Sequence, residues 1–235
     1  LPNLKMMAIT GHDHRTMDMA AVRDHGIVVS SSAPQPGGAQ GTPELTFALM
    51  LAAVRHVAFE DARMRAGHWQ STIGTCLNGR TLGIVGLGKI GQRVAVIAQA
   101  FGMQVVAWSP NLTDERAAAA GVRRVEKAKL FAHSDFVSLH IILSDRTRGL
   151  IGADDLKLMK REAVLINTSR GPLIDEMALK DTLQNNKIAC AGIDVYWNEP
   201  LSEDHWIRSQ ANTVITPHLG YVVEESFRAF YEGTV

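Results

Sequence analysis

Cysteine is scarce in this sequence: Cys76 and Cys190 are the only two among 235 residues. Two thiols cannot build a disulfide framework, so a reducing compartment, the cytoplasm, is the expected location. An excess of charge is lacking as well, since Lys+Arg and Asp+Glu both number 24 and the formal net charge is zero. That balance argues against a binder of the nucleic-acid backbone, whose affinity needs a cationic surplus. It also removes the electrostatic reason to sit on an anionic membrane. Long apolar runs are missing too. The longest, Leu45 to Val54, is interrupted by Thr46 and closed by Arg55; it is too short to cross a bilayer and reads as a buried helix. No basic start followed by an apolar block marks a secretory signal, and there is no internal repeat or low-complexity tract. What remains, 46% hydrophobic and 20% charged, is the composition of a globular protein that handles a small molecule. The chain opens at Leu1 and reaches a strand at once, so it reads as a piece of a longer product.

From Thr81 onward, β-rich runs alternate with helical patterns. Strands are expected over Leu82–Val85, Gln104–Trp108, Phe136–His140, Val164–Asn167, Ile188–Val195 and Thr213–Thr216. Helices are expected over Ile90–Phe101, Asp114–Ala120, Ala153–Lys160 and Glu176–Asn186. Several strands are nearly continuous in apolar residues, which suits burial on both faces. Such alternation implies βαβ units and a parallel, doubly wound sheet. Ahead of it, Leu4–Thr10 and Ile27–Ser31 read as strands around a helix at Thr16–His25, too little sheet to stand alone. Ser30–Gln40 reads as a loop or hinge. A long helix is expected over Pro43–Gly67, started by Pro43 and Glu44. Its row Leu45, Leu49, Ala52, Ala53 and Phe59 forms an apolar stripe, suited to a core or to a dimer seam.

Gly86-Leu87-Gly88-Lys89-Ile90-Gly91 stands directly after the strand TLGIV and directly before a helix. Gly86, Gly88 and Gly91 permit a tight turn and the close approach of a pyrophosphate, which a helix N-terminus stabilises through its N–H groups and dipole. The bland alternative is a glycine turn used only for helix–strand packing. Sites specific for NAD usually place a carboxylate after the next strand to hold the ribose. Here Val105–Trp108 leads into Ser109-Pro110-Asn111, with neither a carboxylate nor an arginine nearer than Arg116. NAD is favoured because no cationic pair is present to grip a 2′-phosphate, and NADP is left open.

Three further segments end expected strands, where doubly wound folds put their ligands: Ile166–Gly171, Gly192–Pro200 and Thr216–Gly220. Taken singly, Arg170, Glu199 and His218 are a surface arginine, a loop carboxylate and one of nine histidines. Together behind a dinucleotide turn they are the set that hydride transfer to an oxo acid needs. A guanidinium holds the substrate carboxylate, an imidazole exchanges the proton at the oxygen, and a carboxylate beside an imidazole raises its pKa and fixes its tautomer.

GLGKIG, LINTSRGPLIDEMALKDTL, AGIDVYWNEPL and ITPHLG, in this order and spacing over nearly the whole chain, resemble the D-isomer-specific 2-hydroxyacid dehydrogenases. The resemblance implies an NAD-linked enzyme of two domains acting on a 2-oxo or D-2-hydroxy acid, usually a homodimer through the cofactor domain. It makes Arg170 the substrate-binding arginine, His218 the acid/base and Glu199 its partner. Asp194 would orient the nicotinamide carboxamide. Lys89 and Ile90 would sit at the pyrophosphate turn and Ser109 at the adenosine ribose. Thr168 and Ile141 would line the cofactor with Ser169 and Gly220, and Thr46 would approach the nicotinamide side. The expected fold is α/β, a Rossmann-type doubly wound sheet over residues 42–219 joined to part of a flavodoxin-like substrate domain over 1–41. Residues 220–235 would start a helix returning to that domain.

The departures are specific. The family usually carries a GxG-type turn where this chain reads Gly11-His12-Asp13-His14, so Asp13 replaces the second glycine. It either brings a negative charge near an anionic substrate or reshapes the loop. His12 and His14 lack a third defined ligand, so no metal is expected. Trp197 and Tyr221 flank the acid/base region and serve either specificity or packing. The substrate stays open among glyoxylate, hydroxypyruvate and larger oxo acids. A different class of function also fits, a dinucleotide-responsive binding or co-repressor-like protein that keeps the same three residues.

Overall fold

In a computed structural model that describes residues 3–9, 17–31 and 40–233, the chain divides into two compact units. One is Thr42–Gly220; the other joins Leu1–Gly41 with Tyr221–Val235, so the division falls one residue beyond the expected 219. In the smaller unit, β1 (Met6–Ile9), α1 (Met19–Asp24) and β2 (Val28–Ser31) form one parallel βαβ unit. Asp18 starts α1: its carboxylate accepts the N–H groups of Ala20 and Ala21, donors that have no partner within a helix. The loop around Asp13, His12 and His14 and most of the Ser30–Gln40 segment lie outside the described residues.

The larger unit begins with α2 (Gly41–Arg55) and α3 (Val57–Arg65). These correct the single long helix expected over Pro43–Gly67. His56 takes φ 53°, a left-handed conformation that ends α2, and the apolar stripe ends with it. Leu49 and Ala53 are buried, whereas α3 buries no residue and Phe59 is exposed. With no apolar face to continue, nothing holds the chain on α2's axis.

Then come β3 (Thr81–Val85), α4 (Lys89–Ala100), β4 (Gln104–Trp108), α5 (Asp114–Ala119), β5 (Arg123–Arg124) and α6 (Lys127–His133). They are followed by β6 (Phe136–Leu139), α7 (Ala153–Leu158), β7 (Val164–Asn167), α8 (Glu176–Gln184), β8 (Cys190–Ile193) and β9 (Thr213–Ile215). The two-residue β5 and the helix α6 have no counterpart among the expected elements. The strand expected over Ile188–Val195 is trimmed at both ends. All seven strands of the sheet are parallel, in the order β5-β4-β3-β6-β7-β8-β9. From β3 the chain builds outward on one side, then returns to place β6 against β3 and builds the other way. That reversal opens a crevice at the carboxyl ends of β3 and β6.

The period-2 alternation of strands explains the two cores. Leu82, Ile84, Val105, Ala107, Val164 and Ile166 pack with Leu49 and Met50 of α2 and Val94 and Ala98 of α4. The intervening Val85, Val106, Val137, Leu139 and Leu165 pack with Leu130, Phe131, Leu156, Leu179 and Leu183 on the opposite face. Each fully buried aliphatic side chain stabilises the fold by roughly 1.5–3 kcal/mol. In the smaller unit, α9 (Glu224–Glu232) lies within the expected 220–235, and residues 234–235 lie outside the description. Among the described residues no helix is long and apolar enough to cross a membrane.

Candidate active site

The glycines after β3 differ in what they permit. Gly86 has φ 102°, and a Cβ on it would lie 2.6 Å from the His140 carbonyl, so the turn lies against the end of β6. A Cβ on Gly91 would collide with the Gly86 carbonyl oxygen, which fixes α4 on the turn. A Cβ on Gly88 would meet no protein atom within 4 Å. Gly88 is also the N-cap of α4 and brings no capping side chain, so first-turn N–H groups of the helix face open space. Among the described residues no side chain caps this cradle for an anion, and it fits the pyrophosphate of a dinucleotide. Lys89 is exposed and Ile90 half-buried beside it. Ser109 stands where β4 ends, in a turn closed by the Leu112 N–H on its carbonyl, and Arg116 bonds the Asn111 carbonyl at 3.3 Å.

At the end of β7, Asn167 shapes the arginine turn. Its amide donates to the Arg170 carbonyl at 2.9 Å, and its carbonyl oxygen accepts the Ser169 N–H at 3.0 Å. The Ser169 hydroxyl donates to the Ile141 carbonyl at 2.7 Å, joining this turn to the end of β6. Arg170 projects into solvent, with Nη1 on the Ser169 carbonyl. Thr46 is fully buried; its hydroxyl donates to the Thr42 carbonyl at 2.8 Å. Its single proton being spent, Thr46 accepts from Thr168 at 3.0 Å. A Cβ on Gly171 would overlap the Tyr196 carbonyl, so the arginine turn and the loop after β8 touch backbone to backbone.

That loop carries Glu199, with a cis bond to Pro200. Glu199 Oε1 accepts the Tyr196 N–H at 2.8 Å, and Oε2 lies 2.6 Å from His218 Nδ1. The carboxylate only accepts, so Nδ1 carries the proton and Nε2 is the nitrogen that exchanges one. His218 takes φ 58°, a conformation uncommon outside glycine. The fully buried Asp194 holds its turn: Oδ1 accepts the Thr216 hydroxyl at 2.6 Å and the Leu219 N–H at 2.7 Å, and Oδ2 accepts the Gly220 N–H at 2.9 Å. Tyr196 donates to the Thr216 carbonyl at 2.8 Å. Burial pushes its hydroxyl up to about 12, helped by the charge of Asp194, so it serves as a neutral donor. At the crevice, burial pushes His140 down to about 3, and its Nε2 pairs with the Ser138 hydroxyl at 2.8 Å.

The model of "D-isomer specific 2-hydroxyacid dehydrogenase, NAD binding domain" matches residues 47–220. The chain belongs to this family. It is 38% identical over 229 residues to the D-3-phosphoglycerate dehydrogenase of Methanocaldococcus jannaschii, covering 96% of this chain and 43% of that one. It is 37% identical to the glyoxylate reductase of Thermococcus litoralis, covering 96% and 70%. Among solved structures, a phosphoglycerate oxidoreductase from Vibrio cholerae superposes with a TM-score of 0.93 at 37% identity, over 99% of this chain and 75% of the other. The chain therefore spans less than half of one of these relatives and about two thirds or more of the others.

Within this dehydrogenase family's NAD-binding domain, the structure groups Arg170, Glu199 and His218 at the ends of adjacent strands β7, β8 and β9. Gly86, Gly88, Lys89, Ile90, Gly91, Ser109 and Ile141 lie at the ends of β3, β4 and β6. Asp194 and Thr46, read from the resemblance as facing the nicotinamide, spend their polar atoms largely on the protein. Thr42, whose hydroxyl donates to the Gly220 carbonyl at 2.9 Å, and Thr216 were not singled out from the sequence. Only the buried acid between them and the histidine turn signals their use. Trp197 packs, donating to the Ile174 carbonyl at 2.8 Å and stacking on His205.

Proposed function

We propose that this chain belongs to an NAD-linked enzyme that reversibly reduces a 2-oxo acid to a D-2-hydroxy acid. The supporting observation is the 2.6 Å His218–Glu199 pair, set on the same sheet edge as an exposed arginine and an open glycine cradle. The bound nicotinamide would supply the hydride for reduction and take it back in oxidation. Arg170 receives the substrate carboxylate through two parallel N–H bonds and polarises the adjacent carbonyl. Protonated His218 gives its Nε2 proton to the carbonyl oxygen during reduction and recovers it in the reverse direction. Glu199 accepts from Nδ1 throughout, which keeps the ring in one orientation and balances its positive charge. Gly88 and the start of α4 take the pyrophosphate. Ser109 and Asn111 face the adenosine ribose, an arrangement that serves NAD without a carboxylate and leaves NADP to be tested.

The enzyme works in the cytoplasm as a homodimer in this reading. Its two cysteines are free, and burial pushes the Cys190 thiol up to about 11, well away from reactive chemistry. Val57, Phe59 and Met64 of α3, then Trp69 and Ile73, are exposed large apolar side chains close together in the chain. A second copy of the chain covers them.

The test is loss of reduced-nicotinamide absorbance with a panel of 2-oxo acids that includes glyoxylate and hydroxypyruvate, with NADH and NADPH in parallel. Turnover is expected to vanish in His218→Ala. Arg170→Lys is expected to raise the KM for the oxo acid at least about tenfold, since a point charge cannot reproduce the forked contact. Retained turnover in His218→Ala, or none in the intact protein, overturns the reading.

A further inference from the structure

Two hydroxyls outside the machinery above hold the histidine turn from opposite sides. Thr216 donates to Asp194 Oδ1 at 2.6 Å, below His218 in the sequence, and Thr42 donates to the Gly220 carbonyl at 2.9 Å, above it. Between them Asp194 takes the Leu219 and Gly220 N–H groups, and the His218 N–H reaches the Asp194 carbonyl at 2.8 Å. The packing is close: a Cβ on Gly220 would lie 3.1 Å from the Thr42 hydroxyl and 3.3 Å from Asp194 Oδ2. Thr42 also ties the turn to the arginine side, because its carbonyl accepts from Thr46, which accepts from Thr168, two residues before Arg170. A histidine at φ 58° persists only where its surroundings over-determine the backbone.

We infer that Thr42 and Thr216 are positioning residues for proton transfer, holding the histidine turn in the left-handed conformation that aims the ring at Glu199. The inference rests on the function proposed above. Valine in place of either threonine keeps the branched shape and removes the hydroxyl. Asp194 Oδ1 would then keep one donor of two, and the Gly220 carbonyl would lose its side-chain donor.

The test compares Thr42→Val and Thr216→Val in the intact protein, with Thr42→Ser, Thr216→Ser and His218→Ala alongside. In each valine variant kcat should fall about tenfold, the scale of a small misplacement of a reacting group. The Kd for NADH, followed by fluorescence, should stay within about twofold, and the serine variants should recover kcat. The low-field proton on His218 Nδ1, read by NMR without substrate, should shift or disappear in the valine variants and persist in the serine variants. Unchanged kcat in both valine variants, or a loss of cofactor affinity as large as the loss of kcat, overturns the inference. If the intact protein turns over no oxo acid, or His218→Ala is as active as its parent, the proposed function fails. The NMR signal then decides alone: an unmoved proton in both valine variants overturns the positioning role, and a moved one upholds it.

Discussion

The seven strands run the same way, so the sheet has two unlike ends. Where the strands begin, the charged groups are satisfied by ordinary means, although the buried Ser134 hydroxyl there has no hydrogen-bond partner among the described residues. Asp135 accepts the Thr81 N–H at 2.8 Å and pairs with Lys160 at 2.8 Å, both within reach of water. Where the strands finish, the buried groups are Asn167, Asp194, Thr168 and Ser138, held largely by backbone N–H groups and neutral side chains. The second arrangement leaves Arg170, Glu199 and His218 at the surface on turns that are fixed from below. A parallel sheet makes this difference available because the helices that follow its strands present their N-termini at one end only. One end stabilises the fold, and the other spends part of its bonding on geometry.

The sharpest break of that comparison is His218→Ala, which should lower kcat by about 10²–10⁴-fold, the usual reach of general acid–base catalysis. Its melting temperature should barely change, since the ring is half-exposed. Steady-state kinetics beside a thermal melt separates the two. A large stability loss with modest kinetic loss would make His218 a structural residue like those at the opposite end.

His140 should show the same end of the sheet in an equilibrium measurement. Burial holds its ring at about 3 in the folded chain, against 6.5 when unperturbed. Above 6.5 both states are neutral and nothing is gained or lost. As the pH falls below that, the unfolded ring binds a proton that the folded ring refuses, so stability drops by at most about 1.4 kcal/mol per pH unit. The residue keeps some accessible surface, so the observed slope should be shallower. His140→Gln should flatten the stability curve between pH 6.5 and 3. Denaturant unfolding across that range reads the difference, and parallel curves for parent and variant would count against a buried neutral ring.

The glycines of the turn separate folding from binding at one site. Gly91→Ala drives a methyl into the Gly86 carbonyl and should cost about 1–3 kcal/mol. Gly88→Ala meets no protein atom within 4 Å, so its melting temperature should stay put while NADH binding weakens. Loss of stability without loss of binding in Gly88→Ala would return this turn to a packing role.

How much of this was legible beforehand follows from where each signal is stored. The glycine turn is local: three glycines at fixed spacing between a strand and a helix carry it. Arg170, Glu199 and His218 stand out because each follows an apolar run that ends in polar residues, and their order carries the family resemblance. The break at His56 leaves no such trace, because the residues around it are acceptable helix formers and only the loss of burial after Arg55 decides it. β5 is two arginines, a strand by pairing with β4 alone. Asp194 was readable as important from the resemblance, but its bonds to Thr216, Leu219 and Gly220 were not, since these partners lie more than twenty residues away. Thr42 and Thr216 look like any threonine until the fold brings them to the histidine turn.

The smallest effect belongs to the end where the strands begin. Burial works to raise the Asp135 carboxyl, but the hydrogen bond and charge of Lys160 and the Thr81 N–H outweigh it and leave it below its usual 3.8. A depressed acid stabilises the fold above the unfolded value and loses that contribution as the pH drops through the folded one. Lys160 is partly exposed, so water screens the pair and Lys160→Met should cost only about 0–1 kcal/mol at neutral pH. The gap between parent and variant should close as the solution is acidified below 3.8, because the protonated carboxyl no longer needs its cation. Unfolding curves at pH 7 and pH 3 measure it, and kcat should not move. A kinetic defect in Lys160→Met would mean that the two ends of the sheet are coupled through β6 and β7, and that the division of labour between them is less clean than their geometry.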